Sequence, residues 1–376
     1  MNILINFAQI KSGGGQNVAM NFLLGLEGID LGSKKLFFVV ANNSAPFDYL
    51  AKTGAFKFCV SPRNPISRVL FELIYLPIWI GRNNIEIVYT YFGSSFILNR
   101  VKQICGSADS NIYFPEINFW VHYKGLNLIK KRLIDAYRIW GVKRADAVIF
   151  ENPSMLNRGV NLFKLRNVKL VRPSIALLEN GSAYEMPKSV PKESFKILFL
   201  CGWQLNKNVM LIPSIAHALK EKFENFHILL TAPNDNCEIH RVFENDLTRH
   251  DVSGFVSVVG QVPKDKLHDL YCQVDVVLLL SKLESFSNNI IESWCYGKPI
   301  IVAREEWAKS ICGDAAVYVE RDSVPEIAEA IIEILNNESL RNLVITKGYQ
   351  AVKDYPTIHE RIKQELEYVE YIQKKD

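Results

Sequence analysis

The chain has 376 residues, 48% hydrophobic, 22% charged and 11% aromatic, with 44 Lys and Arg against 40 Asp and Glu. This excludes a disordered, collagen-like or low-complexity chain, and the length predicts two or three domains. The seven cysteines are odd in number and form no Cys-x-x-Cys, which argues against a disulfide framework, a structural zinc site or a thioredoxin-type site and predicts a reduced, cytoplasmic setting.

In chain order, Asn2–Phe7 reads as a short apolar strand. It lacks the basic n-region and long apolar run of a signal peptide. The loop Lys11–Gly15 leads into a helical pattern over Gln16–Leu26. Strands are predicted at Leu36–Ala41 and Phe56–Val60, then a helix over Ser67–Ile80 that Pro77 kinks or ends. Val69–Gly81, the longest apolar stretch, is too short to span a bilayer and carries Glu72 and Pro77. Ile85–Tyr89 predicts a strand, Phe96–Ile104 a helix and Ile112–Phe114 a short strand. Leu126, Ile129, Leu133, Ala136 and Trp140 recur at three- and four-residue steps, the mark of an amphipathic helix, and Ala147–Phe150 is the next strand. Val171–Ser194 is rich in Pro, Ser, Gly, Lys and Glu and reads as a connection.

A second alternating series begins at strand Lys196–Leu200 and helix Val209–Phe223. Strand His227–Leu230, helix Cys237–Leu247, strand Val256–Val259, helix Lys264–Gln273 and strand Val276–Leu280 follow. Helix Ile290–Tyr296, strands Pro299–Val302 and Ala316–Val319, helix Val324–Leu335 and a long polar helix, His359–Lys374, complete it. The predicted class is α/β, with two Rossmann-like βα domains facing across a cleft and ligands at the carboxyl ends of the strands. The predicted division is 1–172, a connection at 173–194, a second domain at 195–355, and a C-terminal helix, 356–376, returning to the first domain.

Charge is uneven. Residues 1–170 hold 21 Lys and Arg against 10 Asp and Glu, a net +11; residues 171–376 hold 23 against 30, a net −7. The densest segment, 119–145, has Lys124, Lys130, Lys131, Arg132, Arg138, Lys143 and Arg144 against Asp135 alone. Such a helix fits an anionic membrane surface at the inner face of the cell membrane, or a solvated outer face. No nucleic-acid motif accompanies the charge, so no nucleic-acid partner is expected.

The chemistry concentrates in Val276–Val302, where an apolar strand runs into a polar turn and then a helix that Gly297-Lys298-Pro299 ends. Glu284 lies in the turn and Glu292 eight residues later in the helix. The amides of Ser287, Asn288 and Asn289 open that helix and suit a phosphate. Glu292 can accept hydrogen bonds from vicinal sugar hydroxyls. Gly13-Gly14-Gly15 matches neither G-x-G-x-x-G nor a P-loop; it lets backbone amides approach a phosphate or sugar, or is a plain βα turn.

Glu284 through Glu292 resembles the E-x7-E signature of the group 1 retaining glycosyltransferases of GT-B fold. The variant Glu284-Ser285-Phe286-Ser287-Asn288-Asn289 is similar to members that build bacterial surface polysaccharides. Ser12-Gly13-Gly14-Gly15-Gln16, Arg68…Glu72…Leu76-Pro77, Ala145-Asp146-Ala147-Val148, Val259-Gly260-Gln261-Val262 and Val274-Asp275-Val276 resemble other family segments in the same order. The resemblance implies that Glu284 contacts the transferred sugar and Glu292 the ribose. Ser287, Asn288, Asn289 and Phe286, with Gly14, Gly15 and Val262, would bind the donor, and Lys207 would neutralise its diphosphate. It also implies a nucleotide-diphosphate sugar as donor substrate, bound by the domain at 195–355, a glycan or polyprenyl-diphosphate-linked acceptor, bound by the domain at 1–172, and no metal or other cofactor; no Asp-x-Asp is present.

The family pattern is also broken. Trp203 stands where Arg usually follows the glycine matched by Gly202, leaving Lys207, Arg172 or Arg304 to meet the phosphates. Pro115-Glu116 replaces the usual His-Asp, so Glu116 is a candidate carboxylate; His122 is a displaced catalytic histidine or a structural one. Ala232-Pro233-Asn234 replaces the usual Gly-rich turn. A GT-B epimerase or phosphorylase, or a non-catalytic nucleotide-sugar-binding partner, shares the architecture and is the alternative reading.

Overall fold

The computed structural model describes residues 1–11, 14–96, 101–175 and 182–375. The chain divides into two units, residues 1–174 with 356–376, and residues 175–355.

Among the described residues, the first unit holds a seven-stranded sheet: β1 (Asn2–Phe7), β2 (Lys35–Ala41), β3 (Lys57–Ser61), β4 (Ile87–Thr90), β5 (Lys102–Ser107), β6 (Ala147–Phe150) and β7 (Val168–Leu170). Their spatial order is β3-β2-β1-β4-β5-β6-β7, every pair parallel. Ile3 lies between Leu36 and Ile87 across the ladder. Strands buried on both faces read as continuous apolar runs, and Ile3, Leu4, Ile5 and Phe7 have no exposed surface.

The second unit's sheet comprises β8 (Phe195–Phe199), β9 (Phe226–Leu230), β10 (Val256–Val258), β11 (Val276–Leu279), β12 (Ile300–Ala303) and β13 (Val317–Val319). The order is β10-β9-β8-β11-β12-β13, again all parallel. In both sheets the chain winds out to one side, returns to the middle and winds out the other way. The direction of winding reverses between β1 and β4 in one unit and between β8 and β11 in the other, which leaves a crevice at the carboxyl ends of those strands.

Two expected elements are different. Of the helix expected over Phe96–Ile104, residues 97–100 lie outside the described residues, and residues from Lys102 form strand β5, with Gln103, Ile104 and Cys105 buried between β4 and β6. Ile112–Phe114 is not a strand: a single 3₁₀ turn covers Ser110–Ile112, and Ile112, Tyr113 and Phe114 bury their side chains, Tyr113 against Phe150 and Phe163. Helices Ala45–Thr53, Pro153–Phe163, Glu306–Cys312 and Glu338–Val352 and strand β7 add to the expected set. Three of them carried start signals, Ser44, Asn152 and Asn337 as N-caps, the first two just ahead of a proline in the first turn.

Residues Pro65–Leu70, Phe71–Tyr75 and Leu76–Arg82 run on as one helix with a π-helical turn in its middle. The Leu76 amide bonds to Phe71 O, five residues back. Pro77 has no amide to give and sits just after this widened turn, where the helix continues instead of ending. Helix Gly125–Arg144 buries only Gly141 and Val142. No helix among the described residues is long and apolar enough to cross a membrane.

Helix Ile358–Lys374 belongs to the first unit. It starts with a capping box between Thr357 and Glu360. It packs against helix Gly14–Gly25 so closely that a Cβ on Gly25 would come within 2.6 Å of Ile358 Cγ1 and 2.7 Å of Ile362 Cδ1. Its Arg361 is buried, with Nε donating to Glu365 at 3.0 Å and Nη2 to Glu151 at 2.7 Å. The Tyr91 hydroxyl donates to the same Glu365 oxygen at 3.0 Å.

Candidate active site

The second unit's crevice is built from two loops. After β8 the chain passes Cys201, Gly202 and Trp203 into a 3₁₀ turn, Leu205–Lys207, that Asn208 closes with φ 65°. After β11 it passes Ser281, Lys282 and Glu284 into helix Asn288–Cys295. Lys282 N donates to Asn206 O at 2.7 Å and so ties the loops together. Asn289, buried in the first turn of the helix, donates its Nδ2 to Leu200 O at 2.9 Å, which fixes the helix start beside the end of β8.

Lys207 and Glu284 meet here: Nζ lies 2.5 Å from Oε1 in a largely buried ion pair. Ser281, fully buried, donates its hydroxyl to the same carboxylate oxygen. The arrangement holds a cation and an anion side by side, with the first-turn amides of a helix nearby. The Cys201 thiol is pushed up to about 12 by burial, despite Lys207, so it is not a thiolate nucleophile at neutral pH.

Glu292 lies on the signature helix, where the Tyr271 hydroxyl donates to Oε2 at 2.9 Å. Burial raises its pKa above 4.5, against the opposing pull of the Tyr271 bond and of Lys264. Ser287 is the buried N-cap residue, its side chain making no capping bond, and Asn288 is exposed. Phe286 packs on Tyr355, centroids 6.0 Å apart. Val262 lies in the loop after β10, past Gly260, whose φ of +78° only glycine adopts readily.

Trp203 turns to packing. Its ring stacks on His240 at 4.7 Å, and its N–H donates to Pro233 O at 2.6 Å. The expected alternative Arg304 pairs with Glu326 at 2.5 Å and Glu320 at 3.3 Å, while Arg172 belongs to the other unit. Within this unit, Lys207 is the cation that pairs with Glu284. Ser281 and Tyr271 are additions to the expected set. Ser281 stands three residues before Glu284 at a strand end, a legible position; nothing local marks Tyr271, 21 residues from its partner.

The remaining candidates lie in the first unit. Gly14 and Gly15 form the first turn of helix Gly14–Gly25, with open space around Gly14. Glu116 is about half exposed and pairs with Arg158 at 2.7 Å; since Ile112–Phe114 is no strand, it does not follow a strand end. His122 is exposed in a turn before helix Gly125–Arg144. Among the described residues no three His, Cys, Asp or Glu side chains are grouped as a metal would require.

Residues 185–351, a little under half the chain, match the sequence model of the family described as Glycosyl transferases group 1, so the second unit carries a domain of that kind. The O-antigen chain mannosyltransferase B of Escherichia coli is 24% identical over 102 residues, a match that covers 27% of each chain. The chain therefore spans under a third of that relative's length in the matched region. Among solved structures, sucrose-phosphate synthase from Thermosynechococcus elongatus superimposes with a TM-score of 0.73 at 14% identity, covering 99% of both chains. HepE of Anabaena, solved with UDP and glucose, gives 0.69 at 14% identity, covering 99% of this chain and all of that one. At such identity the likeness establishes the fold, the paired parallel α/β domains of the GT-B type.

Proposed function

We propose that this chain is a retaining glycosyltransferase. It takes a sugar from a nucleotide-diphosphate sugar held by the second unit and passes it to a glycan or polyprenyl-diphosphate-linked acceptor in surface polysaccharide synthesis. The observation that carries this reading is the Lys207–Glu284 pair at the winding reversal of the unit that matches the group 1 model. The UDP in HepE and the O-antigen role in the name of the mannosyltransferase support the donor and acceptor classes. Lys207 and the amides of Ser287–Asn289 meet the charge that grows on the departing diphosphate, with no metal required. Glu284 orients both Lys207 and the sugar. A thermal-shift screen with UDP-, GDP- and dTDP-sugars tests the reading, because a ligand that binds only the folded state raises its stability. No shift with any of them, and no transfer, would sink it. Retention is checked by the anomeric configuration of the product.

In this reading Glu292 binds the ribose. Glu292→Ala weakens nucleotide binding by roughly 1.5–3 kcal/mol, the scale of hydrogen bonds to a charged group. Its pKa is raised, so the ribose-accepting carboxylate is lost as pH falls, beginning above 4.5. Native nucleotide affinity should therefore drop in that range and the variant's should not. Calorimetry across pH checks both; unchanged affinity at neutral pH removes Glu292 from the site.

The basic helix Gly125–Arg144 brings the protein to an anionic leaflet, each Lys or Arg contributing about 1 kcal/mol near the surface. Reversing Lys130, Lys131 and Arg132 to Glu abolishes salt-sensitive binding to phosphatidylglycerol vesicles and leaves nucleotide affinity intact. Equal flotation of native and reversed protein with those vesicles would remove this partner.

A further inference from the structure

Lys207 sits at a change of direction. The 3₁₀ turn Leu205–Lys207 ends at Asn208, and a second turn, Val209–Leu211, begins directly after it. The residues on either side of Asn208 have opposite destinations. Lys207 reaches into the crevice to Glu284, while Val209 has no exposed surface and belongs to the core. The reversal uses the left-handed backbone of Asn208, φ 65° and ψ 27°, which Asn tolerates better than most residues with a side chain. Glycine would meet that requirement at least as well, so backbone conformation alone does not account for an amide side chain here.

The side chain adds a tie. Asn208 Nδ2 donates to Arg321 O at 2.7 Å and to Asp322 Oδ1 at 3.1 Å. The bond to Arg321 O is the shorter and the better shielded from water. Both acceptors follow β13, the edge strand, and β11 and β12 lie between it and β8. The tie therefore spans two strands. The loop it reaches is itself anchored: Arg321 Nε pairs at 3.1 Å with Glu305, which follows β12, and Nη2 pairs with Asp322 at 2.9 Å.

On the other side of Lys207, Asn206 O accepts from Lys282 N, in the loop after β11. The main chain is thus held one residue before Lys207 and one residue after it, from two different loops. A lysine carries its charge on a flexible four-carbon stem, so the root of the stem decides where the ammonium dwells. Displacing a reacting group by about 1 Å can cost roughly 10²-fold in rate.

We propose that Asn208 is a positioning residue, whose side-chain amide, bonded to the loop after β13, aims the Lys207 ammonium at the departing diphosphate. The proposal rests on the transfer reading for the role of Lys207, and adds the edge of the sheet to what that role depends on.

The test is a kinetic cycle on the full chain. Turnover is read as release of nucleoside diphosphate from UDP-glucose, GDP-mannose or dTDP-glucose, whichever the native protein turns over fastest. Asn208→Gly keeps the left-handed backbone and removes only the amide; it should lower kcat by roughly 5–50-fold. Asn208→Asp keeps the shape, has no hydrogen to donate, and should be at least as slow. Donor affinity in calorimetry should stay within about threefold of native, because a misaimed ammonium still attracts the bound diphosphate. The melting temperature of Asn208→Gly should stay within roughly 4 °C of native, the scale of one or two lost hydrogen bonds. In the Lys207→Ala background, Asn208→Gly should change kcat by no more than about twofold, since it acts through Lys207 alone.

If the native protein releases no nucleoside diphosphate, or Lys207→Ala is as fast as native, the transfer reading fails and the proposal falls with it. Beside a slow Lys207→Ala, native-like kcat in either Asn208 variant overturns the proposal alone. So does a full, multiplicative loss from Asn208→Gly in the Lys207→Ala background.

Discussion

Lys207→Ala lowers kcat by roughly 10²–10³-fold, the scale of removing one preorganised donor to developing charge. Donor affinity falls as well, since the ammonium serves the diphosphate both bound and departing. Glu284→Gln keeps the shape and removes the charge, so it depresses turnover more than donor binding. The structure adds a condition to these expectations. The two side chains form one ion pair, with Ser281 on the same carboxylate oxygen, so their effects are not independent. The double variant Lys207→Ala/Glu284→Gln should be about as slow as the worse single variant, far from the product of the two losses. Steady-state kinetics with calorimetric donor affinities measures all four corners of the cycle. Turnover within about threefold of native in either folded single variant ends the assigned roles. Strict multiplicativity would leave the roles and remove the coupling.

The second large effect is on stability. Arg361→Ala should cost about 3–5 kcal/mol, because it leaves Glu365 and Glu151 without the cation between them. For a unit of this size that lowers the melting temperature by roughly 6–20 °C. The defect should shrink in acid. Burial holds the Glu365 pKa above 4.5 even with Arg361 and Tyr91 beside it, and losing Arg361 raises it further. A carboxyl whose folded pKa exceeds its unfolded one binds more protons in the native state. Stability therefore falls as pH rises through that interval and recovers below it. Arg361→Ala/Glu365→Gln should regain part of the loss at neutral pH, since a neutral amide oxygen still accepts from Tyr91. Thermal melts of the three proteins at neutral and mildly acid pH decide it; a single variant within about 1 kcal/mol of native would show the network to be dispensable.

Much of the fold is legible because parallel strands covered on both faces must be apolar from end to end. Asn2–Phe7, Ala147–Phe150 and the run Val276–Leu279 announce themselves in this way. The end of the helix expected over Phe96–Ile104 fails from Lys102 on because so short a segment carries no clear period, and Ile112–Phe114 fails because side-chain burial alone makes a buried turn look like a strand. Glu284 and Glu292 are legible from one local motif. The Lys207–Glu284 bond is not, since 77 residues separate its ends and only the winding of the sheet closes that distance. Arg361 and Glu365 read as an ordinary solvated i,i+4 pair. They are buried because Tyr91 and Glu151, 274 and 210 residues away from their partners, complete the cluster.

The return of helix Ile358–Lys374 to the first unit sets an order of maturation. During synthesis the second unit has all its residues before the first does, because residues 175–355 are joined to the chain before 356–376 are made. Until then Tyr91 and Glu151 stand in a nascent domain without Arg361, and Gly25 faces a vacant seat where Ile358 and Ile362 will lie. Chains normally fold domain by domain from the amino end. Here the amino-terminal unit finishes last, and a stop codon anywhere in the second unit would strand an otherwise finished first sheet in an unsealed state, open to proteases.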